Sequence, residues 1–256
     1  MNLHNSFSVM GFVWLELRRA RLWWIALALI AIGSGIAEFI ATIAITESGQ
    51  HRLVFYAAIV RIGAVFVMAL LVLTSILREF DDKVVELTLS RPVSRSEWYV
   101  GKLLGYCGAG MLFSALVSIP LILQVPAQGL FWCASLMLEL VVVIGAALAF
   151  AITIRQITLV LCAVAGFYFL ARGIAGMALI SRGPTVDSSL ASNQFIAGLV
   201  DLLAYVFPDL DKFTKAAWLV DVVPSVTVLG LLAVQALVYG SLLFAVGLFD
   251  IHRRNF

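Results

Sequence analysis

The chain has 256 residues, 62% of them hydrophobic and 12% charged, with mean hydropathy +1.06, whereas a soluble domain carries about 25% charged residues. An ordinary water-soluble fold is thereby excluded: so much apolar surface cannot be solvated, and lipid must be the solvent for most of the chain. The net charge of +2 says little as a total; the distribution of Lys and Arg is what sets a membrane topology.

At the N-terminus, Phe7, Met10, Trp14 and Leu17 recur at steps of three and four, followed by Arg18, Arg19 and Arg21. This pattern predicts an amphipathic helix on the cytoplasmic membrane surface or, equally, a cytoplasmic extension of the first span. Nearly uncharged runs then fall at residues 22–45, 53–77, 98–123, 130–153, 157–180 and 222–249. Each is long enough to cross about 30 Å of hydrocarbon at 1.5 Å per residue. The expectation is an all-α membrane protein, a single domain over 1–256 with six transmembrane helices. The first run is too long for a signal-peptide core and no small-residue cleavage site precedes Glu38, so it is expected to persist as a span. Only Gln124 to Gly129, with a Pro and a Gly, separates the third and fourth runs, which predicts a tight antiparallel hairpin. Cys107, Cys133 and Cys162 lie within apolar runs without ligand-type neighbours and read as small apolar residues.

Between the fifth and sixth runs, Arg182 to Asp221 mixes Gly183, Pro184, Ser188, Ser189 and Pro208 with a helical stripe of Ile196, Leu199, Val200, Leu203 and Phe207. An extracytoplasmic cap with a short interfacial or re-entrant helix is expected. Asp201 counts against a seventh span, which would also put the C-terminal Arg253 and Arg254 outside. With the N-terminus inside, Arg18, Arg19, Arg21, Arg78, Lys83, Arg91, Arg95, Lys102, Arg155, Arg253 and Arg254 face the cytoplasm, against Arg52, Arg182, Lys212 and Lys215 outside. That bias places both termini in the cytoplasm.

The most patterned polar stretch joins the second and third runs, from Arg78 to Arg95. Asp81 or Asp82 can cap a short helix over 81–91 whose Val84, Val85, Leu87 and Leu89 are apolar, and Pro92 ends it. Ser94 and Glu97 then stand at capping-box spacing to open the third span. A charged-flanked helix of this kind, carrying Glu79, Asp82, Val84, Glu86, Leu87, Leu89, Arg91, Pro92 and Arg95, suits docking into a groove on a soluble partner. The alternative is an ordinary polar loop.

The same segment resembles the coupling-helix region of ABC-2 type transporter permeases. Matching positions are Glu79, Leu87, Leu89, Ser90, Pro92, Val93, Ser94, Arg95, Gly101 and Lys102. Further likeness lies in Phe207 to Phe213, ahead of the last span, and in the ending Leu248-Phe249 through Arg253-Arg254-Asn255-Phe256. Within the family the chain looks most similar to the group that includes the permease of the nitrous oxide reductase maturation transporter. Lys83 and Val84 stand where the family has Gly-Thr, a departure that bears on the start of the coupling helix. The resemblance implies a permease subunit of the bacterial inner membrane that exports a substrate or transmits a conformational change across the membrane. It also implies a second copy or a homologous permease, and two separate ATPase subunits that bind ATP and Mg. No cofactor of its own, no enzymatic activity and no nucleic-acid partner are expected. Gly101-Lys102 lacks the spaced glycine of a phosphate loop and is followed by Leu103.

Glu38, Arg61, Glu139 and Arg172 fall inside apolar runs at similar depth in the outer half, where an unpaired charge costs at least about 2.5 kcal/mol. Sequence adjacency of the spans predicts pairs Glu38 with Arg61 and Glu139 with Arg172. Such pairs either lock helix packing or line a translocation route. The competing function is an ion- or proton-coupled secondary transporter, in which the buried carboxylates would relay protons. An intramembrane hydrolase built on Gly33-Ser34-Gly35 is disfavoured because His4, His51 and His252 all lie outside the spans. A membrane subunit without a pore would still use the cytoplasmic helix to recruit a partner.

Overall fold

The computed structural model describes residues 3–19, 21–43, 48–82, 94–154, 156–181, 191–220 and 224–253. Among these the chain is all helical. It runs α1 (Leu3–Arg19), α2 (Leu22–Ile43), α3 (Ser48–Asp81), α4 (Arg95–Val117), α5 (Ile119–Gln124), α6 (Pro126–Thr153), α7 (Ile157–Ser181), α8 (Ala191–Val206) and α9 (Val226–Arg253). Six of these, α2, α3, α4, α6, α7 and α9, are long and apolar enough to span a membrane. The protein is therefore a multi-pass membrane protein. Its centre is α6, whose most apolar stretch is 72% buried, while the corresponding stretch of α9 is only 11% buried and lies at the rim.

Small residues let the helices approach. The buried face of α2 includes Ala26, Gly33, Ala37 and Ala41, and a Cβ on Gly33 would come within 2.9 Å of Val60 on α3. Close packing of this sort holds helices together where lipid offers no hydrophobic gain from association. Alpha-1 is a separate helix and not an extension of the first span, because Arg21 takes a left-handed conformation (φ 56°) between α1 and α2. Its buried residues are Val9, Val13 and Leu17, which correct the expected stripe: Met10 and Trp14 are only half-buried. This face seats on α4, with Val13 against Gly105.

The third run does not form one helix. Pro120 lacks the N–H that a continuous helix would use, and α4 stops at Val117 before the short α5 begins. The break frees the Val117 carbonyl, which accepts from the Tyr56 hydroxyl of α3 at 2.8 Å. The Ser118 hydroxyl donates to the Ser114 carbonyl at 2.7 Å. The expected hairpin is present and tighter than a six-residue turn, since Val125 alone separates α5 from α6. Gly129 makes it fit: a Cβ there would lie 2.8 Å from the Ile122 Cα and 2.9 Å from the Leu121 carbonyl carbon.

The segment before the last span folds back into the helix bundle and is re-entrant in that sense. The end of α8 places Phe207 against Phe167, near the middle of α7, with ring centroids 5.6 Å apart. The Phe207 carbonyl accepts from the Tyr239 hydroxyl, halfway along α9, at 3.0 Å. Two short 3-10 turns follow, Leu210–Lys212 and Ala216–Leu219, and Trp218 meets Phe131 near the start of α6. Of the anticipated α8 stripe only Val200 is buried, while Ile196 and Leu199 are exposed.

Because the atoms facing Gly129 are backbone and cannot rotate away, Gly129→Ala is expected to destabilise the protein by about 1–3 kcal/mol. Gly11→Ala, where a Cβ meets open space, serves as the control and is expected to leave the unfolding midpoint in detergent unchanged.

Candidate functional site

Two polar assemblies stand out from the apolar body. The first frames residues 83–93. At the end of α3, Glu79 pairs with Lys102 on the second turn of α4; the Lys102 side chain is 4% exposed. Lys102 also lies 5.8 Å from the centre of the Tyr106 ring, whose hydroxyl hydrogen-bonds Ser75 of α3. Phe80 packs against Trp98 at 6.3 Å. The exit of α3 and the entry of α4 are thus fastened to each other by a charge pair, a hydroxyl pair and an aromatic contact.

The start of α4 has its own fixings. The expected capping box forms: the Glu97 N–H donates to the Ser94 hydroxyl at 3.2 Å, and the Ser94 N–H donates to the Glu97 carboxylate at 3.1 Å. Arg95 reaches across to the end of α9 and donates to the carbonyls of Ile251 (3.3 Å) and His252 (3.2 Å). A cation over the free carbonyls of a helix C-terminus is favourable both as a donor and against the helix dipole. Asp250 in turn accepts from Thr153 at the end of α6. The ends of α3, α6 and α9 and the start of α4 therefore share one face, the basic one.

Of the residues expected to make the coupling site, Glu79 and Arg95 belong to this frame, and Asp82 is exposed at its edge. Val84, Glu86, Leu87, Leu89, Arg91 and Pro92 lie outside the described residues. Ser75 and Tyr106 were not expected as parts of the site, and Lys102 was singled out only as a match to the coupling region. Ser75 and Glu79 are four residues apart on α3, as are Lys102 and Tyr106 on α4, and that helical spacing was the available signal.

The second assembly surrounds Glu139 near the middle of α6, which has no exposed surface. One carboxylate oxygen accepts from the Tyr168 hydroxyl at 2.9 Å and from Arg172 at 3.2 Å. The other accepts from the Thr214 hydroxyl. Arg172 also donates to the carbonyls of Leu210 (2.9 Å) and Phe213 (3.4 Å), and the Thr214 N–H donates to the Ser135 hydroxyl at 2.9 Å. The re-entrant loop is consequently held by its backbone, and Leu210, Phe213 and Thr214 are wholly buried. Tyr168 with Arg172 and Ser135 with Glu139 each stand at i, i+4, so each pair shares a helix face.

The expected pair of Glu139 with Arg172 forms; that of Glu38 with Arg61 does not. Glu38 faces Arg52 at 3.5 Å, with side chains 62% and 42% exposed. Arg61 instead donates to the Thr214 carbonyl at 3.0 Å and lies within interaction range of Glu139, Arg172 and Tyr168. The reason is helical phase: Arg52 and Arg61 are nine positions apart on α3, two and a half turns, and so point to opposite sides. No protein-family model matches the sequence, and no curated protein matches it.

Removing one member of a buried pair strands the other, at about 3–5 kcal/mol. Glu139→Gln is expected to lower stability by roughly that amount in detergent unfolding, while Glu38→Gln, at an exposed pair, changes it by less than about 1 kcal/mol.

Proposed function

We propose that the chain is the permease subunit of an ABC-2 type ATP-binding-cassette transporter, an exporter in a bacterial inner membrane. Two permease copies, identical or homologous, would work with two separate ATPase subunits that bind ATP and Mg; this chain binds neither. The basic face is the cytoplasmic one, carrying both termini and the segment 83–93. What carries this reading is the Glu79–Lys102 pair. Both residues occupy positions that match the family's coupling region, and they meet in a buried contact that fixes the two sides of that segment.

The arrangement suits a lever. A partner pressing on 83–93 would act on a segment whose exit from α3 and entry to α4 are tied together, so displacement passes into the two spans and is not taken up by slack. The intramembrane carboxylate supports a structural part in this scheme better than a proton relay. Glu139 is sealed from solvent and both its oxygens are engaged by donors. A carboxylate in a relay needs a water path and a spare lone pair.

Co-expression with an ATP-binding-cassette ATPase encoded beside it tests the assignment. Wild type is expected to copurify with the ATPase and to stimulate its turnover. Leu87→Asp with Leu89→Asp is expected to abolish both while leaving the permease folded. Failure of the wild type to capture the ATPase, or full capture by the double variant, would rule out the coupling role and bring the secondary transporter forward.

A further inference from the structure

On the basic face, α1 and α3 leave between them a cleft of about 450 Å³, lined by Glu16, Arg19, Leu71, Thr74, Ser75 and Arg78. Its charges do not balance: two guanidiniums stand against one carboxylate. Among the described residues neither Arg19 nor Arg78 forms an ion pair, in contrast to Lys102, which Glu79 neutralises. The hydroxyls are committed elsewhere, Thr74 donating to the Leu70 carbonyl at 2.7 Å and Ser75 engaging Tyr106. The free donors of the cleft are therefore its two arginines.

The surroundings are apolar. On α1, Phe12 and Leu15 lie one turn before Glu16 and Arg19; on α3, Leu70 lies one turn before Thr74 and two before Arg78. Phe12, Leu15 and Leu70 are all exposed, as are Trp23 and Trp24 just after α1. Two cations at the end of a membrane span, next to uncovered aromatic and aliphatic side chains, match a ligand with an anionic head and an apolar tail. A soluble anion would leave the apolar rim unused, and a zwitterionic head would leave the extra positive charge uncompensated.

We propose that this cleft binds the headgroup of an anionic phospholipid, its phosphate held by Arg19 and Arg78 and its acyl chains lying along Phe12, Leu15 and Leu70. Basic pockets between helices at the cytoplasmic membrane surface recognise lipid heads in this manner. Since Arg78 directly precedes Glu79, the lipid would bridge α1 to the exit of α3 and brace the frame around 83–93. The proposal rests on the chain spanning a membrane and is independent of the transporter assignment.

Thermal unfolding of the full chain in detergent micelles, titrated with phosphatidylglycerol, phosphatidylcholine or inorganic phosphate, tests it. Phosphatidylglycerol is expected to raise the midpoint of wild type and of Arg19→Lys with Arg78→Lys. Phosphatidylcholine and millimolar phosphate are expected not to. Arg19→Gln with Arg78→Gln should weaken the phosphatidylglycerol effect about tenfold or more. Arg18→Gln with Arg21→Gln, outside the cleft, should retain it. Three outcomes overturn the proposal: no preference of wild type for phosphatidylglycerol over phosphatidylcholine, equal loss in the two glutamine variants, or stabilisation by inorganic phosphate matching that by the lipid.

Discussion

A carboxylate at the centre of a membrane protein has to be surrounded by donors, and the placement of Glu139 decides much of what is built around it. Its oxygens draw Tyr168 and Arg172 from α7 and Thr214 from the re-entrant loop. Arg172 has donors left over, and it spends them on the carbonyls of Leu210 and Phe213. Those carbonyls belong to a single 3-10 turn and the residue after it, backbone outside any α-helix that is tolerated at membrane depth only where protein groups satisfy it. The charge cluster is thus what permits a loop to enter the span bundle, and the loop in turn completes the coordination of the carboxylate. Arg61 adds a third helix by donating to the Thr214 carbonyl, so α3, α6 and α7 meet at one point.

Much of this fold is legible in the sequence because lipid imposes a coarse rule. Uncharged runs of sufficient length found all six spans, and the spacing of Ser94 and Glu97 found the cap that opens α4. What hydropathy does not see is phase. Depth and span adjacency put Arg61 beside Glu38, but nine positions along a helix reverse the direction of a side chain, and Arg52, near the start of α3, meets Glu38 instead. Likewise an apolar run reads as continuous through Pro120, although a missing N–H divides it into α4 and α5. The burial of this loop was not legible for a related reason: Pro208, Asp209, Asp211 and Lys212 look like surface, while the burial of their neighbours depends on partners contributed by distant spans.

The frame around 83–93 was legible in part. Glu79, Arg95 and Lys102 stand out by their matches to the coupling region, yet nothing in a linear reading joins Arg95 to the carbonyls of Ile251 and His252. That contact joins residues 156 and 157 positions apart. It makes the end of α9 a support for the start of α4, so the last residues of the final span bear on the entry to the third.

The two polar assemblies are not independent, because one helix carries both. Arg61 and Glu79 are eighteen positions apart on α3, five full turns, so they lie on the same side of the helix about 27 Å from each other along its axis. Glu79 fixes that helix to α4 on the basic face, and Arg61 fixes it to the re-entrant loop at depth. An unbroken helix transmits displacement along its length better than a kinked one, and α3 runs without interruption from Ser48 to Asp81, whereas α4 is interrupted at Ser118. On the transporter reading, a push on 83–93 reaches the loop through α3 and the Arg61 hydrogen bond to the Thr214 carbonyl. The Glu139 cluster on α6 and α7 engages the loop through side chains and backbone, and α3 adds the Arg61 hydrogen bond to the Thr214 carbonyl and packs along the Ala216–Leu219 turn. The loop is therefore held in common by α3, α6 and α7.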